Sequence, residues 1–215
     1  MSRTTRRRAI RAVAPVAGLL AAGLLVWQGS YAAFSANTSN TQDAWDTGQL
    51  ALTNNGGTAT YSGTTSALFN GLVAGQPENN IKIGSTGTKC ITVESTGNIA
   101  GALKFYRGAI SGTNSAALAP QLSLTIDAAP VAAATNVASN CTNFPATGLT
   151  SVAAGVALSA LPTTYAGAVP SVAVAAGTQR VAYRITWLVT STGTNAGDNA
   201  LQNSSAAADL TWEIE

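Results

Sequence analysis

The sequence predicts an all-β protein, a jelly-roll-like antiparallel β-sandwich, and three observations support that fold class. Runs in which apolar and polar side chains alternate recur along the chain, as expected of strands with one buried face. Clusters of Gly, Asn, Ser and Pro separate these runs and are typical of turns. Charged residues make up only 9% of the chain, and no helical pattern alternates with the strands, so a parallel sheet is not expected.

The first predicted strand is Gln49–Thr53, and the sequence Asn54-Asn-Gly-Gly57 that follows it is a strong turn signal. Short strand candidates follow at Thr58–Ser62 and Ala67–Asn70. Another turn is expected at Gly75–Glu78, where Gly and Pro lie close together.

The clearest strands lie further along the chain. Lys89–Ser95 alternates regularly, and Ile99–Arg107 is its expected hairpin partner across a Gly-Asn turn. Gln121–Asp127 and Gln179–Thr190 each place their large apolar residues on one face, at a period of two. Asp209–Glu215 has the same alternation, so this segment is expected to be tied into a sheet.

The segment 128–176 differs from the rest of the domain and is predicted to be an insert-like region. It is rich in Ala, Val, Pro and Thr, and its periodicity is poor. Part of it, Ser151–Leu161, has enough Ala for a helix, although its β-branched residues and lack of charged helix formers weaken that interpretation.

The first residues have the three-part pattern of a secretory signal peptide. A basic head containing five Arg is followed by the uncharged apolar block Ala12–Trp27 and by small residues. The pattern predicts a signal-peptide helix in residues 1–32, cleavage between Ala32 and Ala33, and a single secreted β-sandwich domain in residues 33–215. The alternative is an uncut N-terminal anchor, since a tilted block of this length can still span a bilayer.

Cleavage at this site would reverse the net charge. Of the 11 basic residues five precede Ala32, and none of the 9 acidic residues does, so the mature chain is acidic. The mature part has no basic patch, and a nucleic-acid partner is therefore not expected. Contact with a membrane is expected only through the uncleaved signal segment.

The two cysteines, Cys90 and Cys141, are an even number in an exported chain, so a disulfide is the first interpretation. Two buried free thiols are the alternative. The chain contains no His, so the usual zinc ligand sets are not available, and no cofactor is predicted.

Several stretches together resemble the TasA/camelysin family of exported Gram-positive proteins, whose precursors carry a SipW-type signal peptide. The similar stretches at the start are Gly29–Ser39 and Trp45–Thr53. A predicted hairpin, Gly87–Gly97 with Ala102–Tyr106, is similar to one in the actinobacterial branch of the family, and so is the closing pair of strands, Arg180–Trp187 and Ala208–Glu213. The resemblance implies a jelly-roll-like sandwich and secretion. For some members it also implies assembly into the extracellular matrix fibres of biofilms, in which the mature N-terminal strand completes the sheet of the next subunit.

The first functional hypothesis is therefore a non-enzymatic, self-associating structural protein of the cell surface or matrix. Its association strand would be Ala33, Phe34 and Ser35, with Phe34 as the anchor, because a strand freed by cleavage can add to an exposed sheet edge. The alternative for this segment is a strand that pairs within its own subunit.

Two other hypotheses remain open. A camelysin-like metallo-endopeptidase would need a metal site, for which Asp43, Asp46 and Asp209 are the candidate ligands, and the absence of His argues against it. A module that binds a glycan or another cell-envelope polymer would use exposed aromatics, for which Trp45, Tyr61, Tyr165 and Trp187 are the candidates. Aromatics at strand spacing are more typical of a core, so Trp187 and Trp212 are better explained by packing.

Overall fold

The structure is a computed structural model, and it describes residues 49–71 and 75–215. The predicted signal peptide in residues 1–32, the cleavage site at Ala32 and Ala33, and the association strand Ala33–Ser35 lie outside the described residues. Two short helices are described, α1 (Ser115–Leu118) and α2 (Asn195–Ala200), with 3₁₀ turns at Ala119–Gln121 and Leu158–Ala160. The strands are β1 (Leu52–Asn54), β2 (Thr86–Ser95), β3 (Gly101–Ser111), β4 (Leu122–Val131), β5 (Thr150–Ala157), β6 (Val172–Val174), β7 (Gln179–Val189) and β8 (Ala207–Ile214).

The strands form two antiparallel sheets, and the predicted all-β sandwich is confirmed. The larger sheet has the order β1-β2-β7-β4-β5, and the smaller has the order β6-β3-β8. Strand β7 is the centre of the larger sheet, because it pairs along its length with β2 on one side and β4 on the other. Neighbours in each sheet are therefore mostly distant in sequence.

The period-two alternation of the sequence places the large apolar side chains in one core cluster. Tyr183 and Trp187 of β7 are 1% and 5% exposed, and Phe105 of β3 is 2% exposed. Trp212 of β8 packs against Phe105 and Tyr183, with ring centroids 5.4 and 5.5 Å apart. These aromatic contacts join the smaller sheet to the central strand of the larger one.

A second apolar cluster contains the disulfide. Cys90 and Ala182 alternate with core residues along β2 and β7, so they lie on the other face of the larger sheet, where Val137 covers them. Cys90 is bonded to Cys141, with Cα atoms 5.0 Å apart. The predicted disulfide is confirmed, and it fastens the segment that follows β4 to this face.

A buried asparagine holds the same segment to the loop after β1. Asn55 is 0% exposed, and its Oδ1 accepts the backbone N–H groups of Gly57 and Thr92 at 3.0 and 2.8 Å. Its Nδ2 lies 2.7 Å from Asn136 Oδ1 and 3.0 Å from the Val137 carbonyl oxygen. One polar side chain thus bonds to backbone groups of three segments: the loop after β1, strand β2 and the segment after β4.

The hairpin predicted between Lys89–Ser95 and Ile99–Arg107 is wrong, because β2 and β3 belong to different sheets. The backbone N–H groups of Thr96 and Asn98 donate to the carbonyls of Ala51 and Gln49, at 3.1 and 3.0 Å. The connection therefore extends along the chain before β1 and then crosses to the smaller sheet. Gly97 permits this path, since a Cβ there would lie 2.5 Å from the Gln49 carbonyl oxygen.

The short strands predicted at Thr58–Ser62 and Ala67–Asn70 are also wrong. Only a single bridge between Asn54 and Ser62 forms in this part of the chain. The hydrogen bonds around Asn55 compete successfully with a strand ladder, because an asparagine side chain can bond to nearby backbone groups.

The insert-like segment 128–176 contributes one edge strand to each sheet, β5 and β6. The possible helix at Ser151–Leu161 is wrong, since this stretch is β5 followed by a 3₁₀ turn. Its poor periodicity has a structural cause. The pairing of β4 with β5 shifts register twice, and Gly155 has a φ of +66°, so side chains do not alternate regularly.

We predict that Asn55→Ala lowers the free energy of unfolding by about 2–3 kcal/mol, because it leaves buried backbone N–H groups without an acceptor. Urea unfolding followed by Trp fluorescence measures this. Asn140→Ala is the matched control, since the Asn140 side chain accepts one exposed hydrogen bond from Thr142 N–H in the same region. Equal effects of the two substitutions would contradict the role given to Asn55.

Replacing both Cys90 and Cys141 by Ala should lower the free energy of unfolding by roughly 4 kcal/mol, since the bond closes a long loop in the unfolded chain. The two residues are 51 positions apart. Urea unfolding of the native protein with and without a thiol reductant provides the comparison. An unchanged unfolding midpoint in both experiments would show that the bond does not stabilise the fold.

Candidate self-association edge

The two sheets end in four edge strands, and β8 offers the longest regular edge among the described residues. Strands β1 and β6 have 3 residues each, and β5 pairs with register shifts. Strand β8 has 8 residues, and its pairing with β3 is uninterrupted from Leu210 to Ile214. A long, regular edge presents a row of backbone groups that can pair with another strand.

The hydrogen bonds of the smaller sheet show which backbone groups of β8 face this open edge. Ala102 and Glu215 exchange both backbone hydrogen bonds, at 2.7 and 3.4 Å. In an antiparallel ladder, bonded and non-bonded pairs alternate, so Glu213 and Thr211 also direct their backbone groups toward β3. The backbone N–H and C=O groups of Leu210, Trp212 and Ile214 therefore point away from β3, to an edge with which no other described strand pairs. We call it the open edge.

The side chains of β8 divide into an apolar face and an acidic face. Leu210, Trp212 and Ile214 pack against the core cluster. Asp209, Thr211 and Glu213 alternate with them, and Glu215 follows the strand in the same alternation. We call these four residues the outer row of β8. An added strand would thus continue the core on one face and meet carboxylates on the other.

The carboxylates of the outer row differ from the other acidic residues that the structure describes. Three acidic residues elsewhere form ion pairs: Glu78 with Lys89, Glu94 with Arg180, and Asp127 with Arg184. Asp198 accepts hydrogen bonds from Ser191 and Thr192, which lower the pKa of its carboxyl group. In residues 49–71 and 75–215, no ion pair includes Asp209, Glu213 or Glu215.

Glu213 has two neighbours on β3, Tyr106 and Lys104, and only Tyr106 forms a hydrogen bond with its carboxylate. The Tyr106 hydroxyl donates to Glu213 Oε2 at 2.6 Å, and this hydrogen bond raises the pKa of the Tyr106 hydroxyl. Lys104 lies opposite Glu213 in the ladder. Its Nζ is directed instead to the Tyr165 carbonyl oxygen, at 3.3 Å, and lies 4.4 Å from the centroid of the Tyr165 ring.

The structure brings together only some of the residues that the sequence singled out. Cys90 and Cys141 meet, whereas Asp43 and Asp46 lie outside the described residues, and Asp209 is in β8. Within the described part of the chain, no group of three or more His, Cys, Asp or Glu side chains is arranged to hold a metal ion.

Of the four aromatic residues considered for glycan binding, Trp45 lies outside the described residues, and the other three are engaged within the fold. Trp187 is buried, and Trp212 packs on the core. Tyr61 and Tyr165 are half-buried, and cationic groups of Arg180 and Lys104 each lie 4.4 Å from their ring centroids. One face of each tyrosine ring is therefore already covered by a cation.

The sequence predicts the C-terminal strand but does not show that this strand lies at an edge. The alternation of Asp209–Glu215 signals a half-buried strand, and edge strands and inner strands can share that pattern. One signal of an edge was available in the sequence. Asp209, Glu213 and Glu215 put charged side chains on one face of the strand, and charged side chains are common on natural edge strands.

A comparison of the chain with protein-family models found no match, and a comparison with curated protein sequences found none either. The resemblance to the TasA/camelysin family therefore stays a prediction. No helix among the described residues has both the length and the apolar character needed to cross a membrane.

The edge geometry predicts a difference between two neighbouring proline substitutions. Ala208 directs its N–H to the open edge, because Ser205 N–H bonds to Thr113 C=O and the pairing continues in register through Ala207 and Ala208. Ala208→Pro should thus be tolerated, whereas Ala207→Pro removes a ladder hydrogen bond to β3. We expect Ala207→Pro to be less stable by at least about 1 kcal/mol in urea unfolding. The reverse order would contradict the assigned edge.

Proposed function

We propose that this protein is a secreted structural protein of the cell surface or extracellular matrix. It self-associates when the N-terminal segment freed by cleavage after Ala32 adds to strand β8 of the next copy. The observation that supports this most directly is the open edge of β8, with its outward backbone groups at Leu210, Trp212 and Ile214. Backbone hydrogen bonds give affinity in this mode of recognition, and alternate side chains set the register.

The acidic outer row disfavours the simplest competing assembly, in which two β8 strands pair with each other. A symmetric antiparallel pair centred on Thr211 places Asp209 opposite Glu213. A pair centred on Trp212 places Asp209 opposite Glu215. Like charges directly opposite each other destabilise a sheet, so the edge favours a different strand as its partner.

The predicted N-terminal segment has the composition that this edge can accept. Residues 33–42 contain no charged side chain, so they meet the outer row without repulsion. Phe34 supplies a large apolar side chain for the core face, and Ser35 would then lie on the other face, where its hydroxyl can donate a hydrogen bond to a carboxylate.

Addition of one chain's segment to another chain's edge is a heterologous contact. Each copy offers one donor segment and one acceptor edge, so the contact repeats from copy to copy and builds an open fibre unless the rotation closes it into a ring. The few charged residues of the chain also leave little electrostatic repulsion between copies. A matrix or surface scaffold is the function that such an assembly serves.

We predict that the mature protein, beginning at Ala33, forms fibres and that the same protein without residues 33–40 stays monomeric. Loss of the donor segment removes the only strand that the proposal assigns to the β8 edge. Electron microscopy and sedimentation velocity at matched concentrations measure the outcome. Identical sedimentation of the two proteins as monomers would overturn the proposal.

The acceptor side is tested with Ala208→Pro in the mature protein. Proline removes one outward N–H and obstructs close approach of another strand, so fibre formation should fall while the monomer stays folded. Ala208→Ser is the matched control, because it keeps the N–H and a small side chain. Fibres formed equally by both variants would show that β8 is not the acceptor.

A further inference from the structure

We propose that Glu213 and Glu215, at the C-terminal end of the outer row, recognise the α-ammonium group that cleavage after Ala32 creates at Ala33, so that the donor segment docks antiparallel to β8 with its first residue beside these two carboxylates. This inference rests on the proposed function and deepens it. Cleavage would supply both a free strand and a positive charge at the end of that strand.

The charge distribution of the described residues supports a cationic partner at this place. Four of the six basic residues after Ala32 have their charges engaged by carboxylates or aromatic rings: Lys89, Lys104, Arg180 and Arg184. Arg107 donates to the backbone carbonyls of Leu158 and Ser159. In contrast, no basic side chain among the described residues forms an ion pair with any of the acidic residues of the outer row. Their negative charge is therefore the part of the fold that an incoming cation can still neutralise.

Glu213 is held in place for this contact before any partner arrives. The hydroxyl of Tyr106 donates to its Oε2 at 2.6 Å, and no donor among the described residues bonds to Glu213 Oε1. Lys104, its ladder neighbour, is turned to Tyr165. A carboxylate that is already oriented loses less side-chain freedom when it accepts a hydrogen bond from an ammonium group.

The direction of docking follows from where the carboxylates lie along β8. An antiparallel segment brings its N-terminal end to the C-terminal end of β8, where Glu213 and Glu215 lie. A parallel segment would bring its N-terminal end to the N-terminal end of β8. Asp209 is the only acidic residue at that end of the strand. The antiparallel arrangement therefore offers the ammonium group two carboxylates instead of one.

The side-chain alternation agrees with this arrangement. If Phe34 points to the core face with Trp212 and Ile214, then Ala33 lies on the same face of the sheet as Glu213 and Glu215. An α-amino group has a pKa of about 7.7–8.0 and is mostly protonated at neutral pH. In the uncleaved precursor, the same nitrogen is a neutral amide, so cleavage changes the charge at the docking position.

The test compares the mature protein carrying a free α-amino group with the same protein acetylated on that group. Acetylation near neutral pH is selective, because Lys side chains have a much higher pKa than the α-amino group. We expect acetylation to raise the critical concentration for fibre formation roughly tenfold, as for loss of one charge-assisted hydrogen bond. The effect should shrink in high salt, which screens exposed charges.

The double variant Glu213→Gln with Glu215→Gln separates charge recognition from the bulk of the acetyl group. The double variant should have a higher critical concentration for fibre formation than the native protein, and acetylation should raise that concentration little further. Asp209→Asn is the matched control and should assemble like the native protein. Its thermal unfolding midpoint, and that of the double variant, are measured to confirm that both are folded.

Each result bears on a different claim. Equal assembly of free and acetylated proteins would overturn ammonium recognition and leave the proposed function standing. Sensitivity to Asp209→Asn in place of the double variant would overturn the antiparallel direction. Absence of fibres from the unmodified mature protein would overturn both this inference and the proposed function.

Discussion

The pairing of β7 with β2 and β4 is the interaction on which the rest of the fold depends. This strand pairs over ten residues with each neighbour, so its backbone groups are satisfied on both sides, and its alternate side chains Tyr183, Ile185 and Trp187 fill the core. An open sheet also has two edge strands, and the outward N–H and C=O groups of an edge strand stay unpaired unless another segment covers them. The proposed function concerns one such edge.

The fold class and most long strands follow from the sequence because a period of two is a local property. Gln179–Thr190 and Asp209–Glu215 were recognisable as strands for that reason. Strand order was not recognisable, because β2 and β7 are separated by more than eighty positions and their pairing is decided by packing. The false hairpin shows the same limit, since Thr96 and Asn98 bond to the chain before β1 and no local pattern reveals that choice.

The candidate edge was only partly predictable for related reasons. The acidic residues of β8 were visible in the sequence, but their significance depends on which neighbour each one has. Glu94 and Asp127 are also acidic residues in strands, and each lies opposite an Arg of β7. Only the three-dimensional arrangement shows that Glu213 lies opposite a lysine that is turned to Tyr165. Loop polar groups such as Asn55 were missed because their partners lie far away in the sequence.

Hydrogen exchange of the outward amides of β8 tests strand addition at this edge most directly, because it observes the edge itself. The amides of Leu210, Trp212 and Ile214 should exchange quickly in the monomer, while those of Thr211 and Glu213 are protected by β3. In assembled material the three outward amides should become protected as well. Outward amides that exchange equally fast in both states, or that are already protected in the monomer, would contradict strand addition at β8.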